Sequence, residues 1–188
     1  MKTLLEKWCC FAALWASALS AGEFKAGAAA VVITPPDGTP MAGFYSFRGS
    51  GGVIDDLCAK AIVVEQDGAK AALVALDLSG TTRPAVAAAR KLIAEQCGIP
   101  PERVLISATH THSGPVQLRD NLMDDITGAK QPLAQEFCGK LPSQIAQAVA
   151  EANAKLIPAT CAVMWALPPK PYRPSRPPGG NSARSSDR

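Results

Sequence analysis

Hydrophobic and polar positions along this chain fall into runs that mark its elements. "KAGAAAVVI" becomes steadily more β-branched until Pro35 and Pro36 stop it, which predicts a strand over Lys25 to Ile33. "PPDGTPMAGFYSFRGSGG" carries proline and glycine too often for a ladder or a helix and reads as loop. "AKAIVVEQ" and "AKAALVALDL" follow, joined around Asp67-Gly68, a strong hairpin signal between two apolar, β-rich runs. The second run is apolar nearly throughout, which predicts a strand buried on both faces.

"TTRPAVAAARKLIAEQCGIPPE" is the clearest helix. Thr81 or Thr82 can cap it, Pro84 suits its first turn, and Gly98 and Pro100 end it. Val86, Ala89, Ile93 and Ala94 fall roughly along one of its faces. "RVLISAT" is a short strand, and a further helical stretch runs from Leu133 to Leu156, with a break expected between Gly139 and Pro142. "ATCAVMWA" reads as one more strand. Strand, hairpin, helix, strand, helix, strand is an α/β pattern, a mixed sheet with flanking helices.

The two ends have a different character. Lys2 and Lys7 precede an apolar run from Trp8 to Leu19, and small residues follow, the layout of a secretory signal peptide over residues 1–20. The run is too short for a comfortable membrane span. The expected destination is therefore secreted or periplasmic, with no stable transmembrane segment after signal removal. From Pro168 to Arg188 proline, arginine, serine and glycine dominate, and that composition predicts a disordered tail. The tail reads either as a partner-binding segment or as the product of a shifted reading frame.

Export changes the reading of the cysteines. Cys58, Cys97, Cys138 and Cys161 remain beyond the signal, and they read either as up to two disulfides or as free, buried thiols. Their spacing excludes a CxxC zinc module. Charge is also unevenly placed within the formal +3. Lys2 and Lys7 against Glu6 supply +1, and the tail supplies +4, which leaves the body at −2. A mildly acidic body offers no footprint for nucleic acid.

Against this background one stretch carries chemistry. "VLISATHTHSGPV" holds the chain's two histidines, His110 and His112, just beyond a predicted strand. Sites in α/β sheets gather at the carboxyl ends of strands. Residues two apart in an extended segment face the same way, so both imidazoles can turn to one point, as zinc ligands do. Thr109, Thr111 and Ser113 offer hydroxyls that could fix a ring tautomer. The same pair also reads as hydrogen-bonded structural residues. Asp77, ending another strand, reads as a strand-end cap or as a second-shell partner of the metal site. Ser113 with a histidine base is a further arrangement, although no G-x-S-x-G elbow is present.

"AAAVVITPPDGTPMAGF", "AKAIVVEQDGAKAALVALDLSG" and above all "VLISATHTHSGP" resemble the N-terminal part of the neutral/alkaline non-lysosomal ceramidase family, in order and spacing over Lys25 to Val163. The resemblance implies a secreted or membrane-associated Zn2+-dependent hydrolase that splits the amide of ceramide into sphingosine and fatty acid. It implies that His110 is a zinc ligand and that His112 is a catalytic-site residue near the zinc-bound water or substrate. The family completes its zinc site with a histidine, a glutamate and a tyrosine much later in a longer chain, whereas no histidine follows His112 here. The expectation is an N-terminal α/β portion, 25–165, of a larger ceramidase-type catalytic domain, truncated or frame-shifted and not catalytically complete by itself. The alternative is a secreted non-catalytic binding or structural fragment. A serine or cysteine hydrolase using His110 or His112 as base is a third reading.

Overall fold

The computed structural model describes residues 22–162. The segments expected as signal peptide and tail lie outside the described residues. Five strands form one sheet in the order β4-β3-β2-β1-β5, with β1 Lys25–Val32, β2 Cys58–Gln66, β3 Ala69–Leu76, β4 Val104–Ala108 and β5 Ile157–Pro158. Three helices accompany them: α1 Arg83–Cys97, the short α2 Met123–Thr127 and α3 Pro132–Ala154. The sheet is mixed, because β3 and β4 run parallel while the other pairings are antiparallel. The α/β class expected from the sequence is the class observed.

Local chemistry explains the elements that form as expected. β2 and β3 turn back at Asp67 and Gly68, both with left-handed backbones (φ 52° and 76°), the conformation that a two-residue hairpin requires and that Asp-Gly supplies at low cost. Thr82 caps α1 by accepting a hydrogen bond from the Ala85 amide, Pro84 sits in the first turn, and Gly98 ends the helix at φ 65°. Ala89 and Ile93 form the buried face of α1, with Val86 and Ala94 half-buried beside them. The Arg90 guanidinium donates twice to the Val104 carbonyl, at 2.7 and 3.0 Å, and fastens α1 to the start of β4.

The expected break between Gly139 and Pro142 is absent. Helix α3 is continuous with Pro142 inside it. A proline removes one helical hydrogen bond, but the turns on both sides are held by burial. Phe137 and Leu141 precede the proline, and Ile145, Val149 and Ala152 follow it, all buried against the sheet or α1. The last strand also differs from expectation. Pairing with β1 occurs at Ile157–Pro158, and residues 159–162 carry no strand. The remainder of "ATCAVMWA" lies outside the described residues.

A larger correction concerns β3. Its Ala72, Val74 and Leu76 are buried, but Leu73 is 46% exposed. Leu105, Leu73, Ile62 and Ala28 stand in register as one row across four strands, and that row is open. The cause is one-sided covering: α1 and α3 pack on the face that carries Ala59, Ala61, Val63, Val74 and Leu76. Among the described residues no element covers the other face. A continuous apolar run therefore does not here mark burial on both faces.

Cys58, Cys97, Cys138 and Cys161 are free thiols. Burial pushes the Cys97 and Cys138 thiols above the usual cysteine range, while Cys161 is exposed. A raised folded-state value keeps these two protonated, and the associated stability is present below the unfolded-state value and lost as pH rises through the folded one. A maleimide at mildly alkaline pH should therefore modify Cys161 about tenfold or more faster than Cys97 and Cys138, since the thiolate is the nucleophile. Peptide mass spectrometry over time checks this, and equal rates at Cys97 and Cys161 would contradict the burial described.

Candidate active site

The parallel pair β3 and β4 delivers its carboxyl ends to one edge, where Leu76 pairs with Ala108. The Asp77–Gly80 loop leaves β3 there, and the histidine segment leaves β4. Thr109 remains attached to the edge, because its amide donates to the Leu76 carbonyl at 2.9 Å. The chain then turns at His110, whose φ is 65°. A left-handed backbone at a non-glycine residue costs of order 1 kcal/mol or more and concentrates at functional sites. The segment is thus not extended, and period-two alternation does not set the direction of the rings. The turn does so instead.

Both imidazoles are exposed and not buried in the core, and His112 lines a cleft. Their Nε2 atoms converge to 3.5 Å, with ring centroids 5.1 Å apart in an edge-to-face arrangement. The His110 Nδ1 lies 2.6 Å from the Ser79 carbonyl oxygen. A carbonyl only accepts, so Nδ1 donates, and in the neutral ring the lone pair then lies on Nε2, where it faces His112 Nε2. This is the tautomer that a metal ligand needs. Two nitrogens bound to one tetrahedral zinc at ordinary bond lengths stand about 3.3 to 3.4 Å apart. The observed separation fits two donors of one ion.

The described residues do not complete such a site. No group of three or more His, Cys, Asp or Glu side chains able to hold a metal is found among them. Asp77 lies at the same sheet edge and lines the same cleft as His112, but its carboxylate is directed to other partners. It accepts from the Cys58 amide at 3.1 Å and from the Lys60 ammonium at 2.8 Å, and no hydrogen bond joins it to an imidazole among the described residues. That hydrogen bond and the carboxylate's charge hold Lys60 above the usual lysine range. The strand-end cap anticipated for Asp77 is what the geometry displays.

The hydroxyls expected to fix the ring tautomer serve the backbone. Thr109 Oγ1 donates to the Leu76 carbonyl, and Thr111 Oγ1 accepts from the Ser113 amide. The tautomer is set by the carbonyl of Ser79, which no side-chain pattern could have revealed. Ser113 lines the cleft without a hydrogen bond to either ring among the described residues, so the serine–histidine arrangement has no geometric support.

Two glycines allow the loops to meet. Gly114 is buried, and a Cβ there would come within 3.1 Å of the Asp77 carbonyl oxygen and of Leu78. Its own carbonyl accepts from the Ala42 amide at 2.8 Å, while the Val116 amide donates to Pro40, so the loop ahead of β2 is tied to the histidine segment. Gly43 has φ 96°, and a Cβ there would lie 2.6 Å from the Cβ and Cγ of His112. Sequence reasoning missed Gly43 as a site residue, although it stands within "PMAGF". On the metal reading of the histidine pair, Gly43→Ala should displace the His112 ring and weaken zinc binding about tenfold, while His110 keeps its partner. Zinc competition with a chromophoric chelator reads this; unchanged affinity would separate His112 from the metal.

The cleft has a volume of about 710 Å³ and is bordered by His112, Asp77, Lys60, Asp56, Arg48 and Phe44. The Arg48 guanidinium lies over the Phe44 ring at 4.6 Å. Apolar walls with a few convergent polar groups characterise small-molecule sites. Fold and cleft together define an α/β protein with paired imidazoles at the carboxyl edge of two parallel strands, one of which, His112, lines a cavity.

No family model and no curated protein matches this sequence. Among solved structures the fold is similar to the neutral ceramidase from Pseudomonas aeruginosa, with a TM-score of 0.62 at 23% identity over 73% of this chain. It is also similar to a ceramidase complexed with C2, with a TM-score of 0.58 at 23% identity over the same share. The match spans 22% of the length of each of those chains. The likeness establishes a ceramidase-like fold for the described region. Among the described residues no helix is long and apolar enough to cross a membrane.

Proposed function

We propose that this chain is an N-terminal portion of a zinc-dependent ceramidase-like amide hydrolase, with a ceramide-like lipid amide as substrate and a secreted or periplasmic location. The observation that carries the proposal is the convergence of His110 Nε2 and His112 Nε2 to 3.5 Å, with His112 lining a cleft, on a fold like that of solved ceramidases. His110 is the zinc ligand in this reading, and His112 is the active-site imidazole beside it, close enough to give the same ion a second nitrogen. A bound zinc would supply Lewis acidity toward the amide carbonyl and toward water. The chain's own contribution is positional. Ser79 holds the His110 ring, Gly43 leaves room for His112, and Gly114 lets the histidine segment lie against Asp77 and Leu78.

Because the described residues provide two nitrogen donors and a catalytic zinc usually keeps three protein ligands, the chain by itself should not cleave ceramide above background. Chromatographic detection of released sphingosine, with zinc present and again with a chelator, is the test. Zinc retained through equilibrium dialysis without turnover is the expected pair of results. Chelator-sensitive turnover by the chain alone would overturn the incomplete-site reading. Absence of any zinc retention would overturn the metal reading and favour a non-catalytic binding or structural role.

A further inference from the structure

Gln117 lies five residues beyond His112, is 5% exposed, and belongs to none of the roles described above. Its amide Nε2 donates to the Gly80 carbonyl at 2.6 Å. The neighbouring carbonyl, that of Ser79, is the one that accepts from His110 Nδ1. One buried side chain therefore clamps the peptide unit next to the one that selects the tautomer of His110. Gln117 is itself fixed on both sides. The Val116 amide donates to Pro40, and the buried Asp124 carboxylate accepts from the amides of Arg119 and Asn121.

We infer that Gln117 is a positioning residue for His110: it holds the Ser79–Gly80 turn so that the Ser79 carbonyl faces Nδ1 and leaves Nε2 unprotonated for a metal. The inference rests on the metal reading of His110 for its purpose, but its geometry and its test do not require metal. A neutral histidine ring in water prefers its proton on Nε2, the wrong tautomer for ligation through that atom. A carbonyl fixed at Nδ1 reverses the preference, and partners of this kind are worth about 10- to 100-fold in metal affinity. A loop carbonyl is free to turn away unless something holds it, and here the hydrogen bond from Gln117 does so.

The test uses the metal-free chain labelled with 15N, at a pH of about 8 where imidazole is neutral. Long-range proton–nitrogen correlation distinguishes protonated from unprotonated ring nitrogens. With two histidines in the whole chain, a His112→Ala variant assigns every signal. The expected wild-type result is His110 held as the Nδ1–H tautomer. In Gln117→Met, which keeps length and apolar volume but removes the donor, His110 should become a mixture with Nε2–H prominent. Zinc affinity should fall about tenfold or more in the same variant. Gln117→Glu, which keeps the shape and replaces the donor with oxygen, serves if Gln117→Met does not fold. An Nε2–H tautomer in the wild type, or a pure Nδ1–H tautomer in a folded variant, would overturn the inference. Failure of the wild type to bind zinc while the tautomer shifts as expected would instead overturn the metal reading alone.

Discussion

Gly27→Val should destabilise the chain by about 3 kcal/mol or more, enough to lower the melting temperature by about 10 °C. Gly27 lies inside β1 and is buried beneath the end of α3. A Cβ there would stand 2.1 Å from the Ala152 carbonyl oxygen, 2.9 Å from the Lys155 carbonyl carbon and 3.0 Å from the Leu156 nitrogen. All three are backbone atoms, so no side-chain rotation relieves the collision, and α3 must separate from the sheet. The same contact is what brings the chain from the end of α3 to β5, which pairs with β1 at Lys25 and Ala26. Gly139→Ala is the matching control, because its Cβ meets nothing within 4 Å on an exposed turn of α3. That substitution should stabilise by about 0.5 to 1 kcal/mol. Thermal unfolding followed by circular dichroism measures both, and a Gly27→Val chain as stable as its parent would contradict the packing of α3 on β1.

Much of the fold was legible because its signals are local. Asp67-Gly68 dictates a reversal through its own backbone preferences, and Thr82, Pro84 and Gly98 set the ends of α1 through groups within four residues of each boundary. What could not be read depends on partners distant in sequence. Pro142 remains helical because residues on both sides of it are buried against the sheet or α1. Leu73 is open because both long helices cover the same face, although its own strand is apolar from Ala71 to Leu76. Gly27 looks like any glycine among alanines until Ala152 arrives above it.

The candidate site divides along the same line. The two histidines were visible as residue types at a strand's carboxyl end, and the structure does bring their Nε2 atoms together. The means were not visible. A left-handed residue at His110 replaces the expected extended geometry, and a main-chain carbonyl at Ser79 replaces the expected hydroxyls. Backbone groups have no letter in the sequence, so a tautomer set by one of them is invisible there. Asp77 was placed correctly at the sheet edge, yet its hydrogen bonds go to the Cys58 amide and the Lys60 ammonium.

The second large effect is expected at the imidazoles. His110→Ala removes the nitrogen whose lone pair is held free, and zinc affinity should fall well beyond the tenfold level at which loss of a supporting partner is felt. His112→Ala should also weaken binding, since its Nε2 stands 3.5 Å from that of His110. Lys140→Ala, an exposed substitution on α3, should leave binding unchanged. Stability should barely move in any of the three, because both rings and the Lys140 side chain are exposed.

The most direct measurement is a zinc titration of the metal-free, 15N-labelled chain, read at the ring nitrogens of its two histidines. The account predicts that one equivalent of zinc moves the His110 Nε2 signal first and furthest while Nδ1 stays protonated, that His112 responds at the same stoichiometry, and that His110→Ala abolishes the response. Zinc binding with full affinity in His110→Ala, or binding that leaves both rings unmoved, would contradict it.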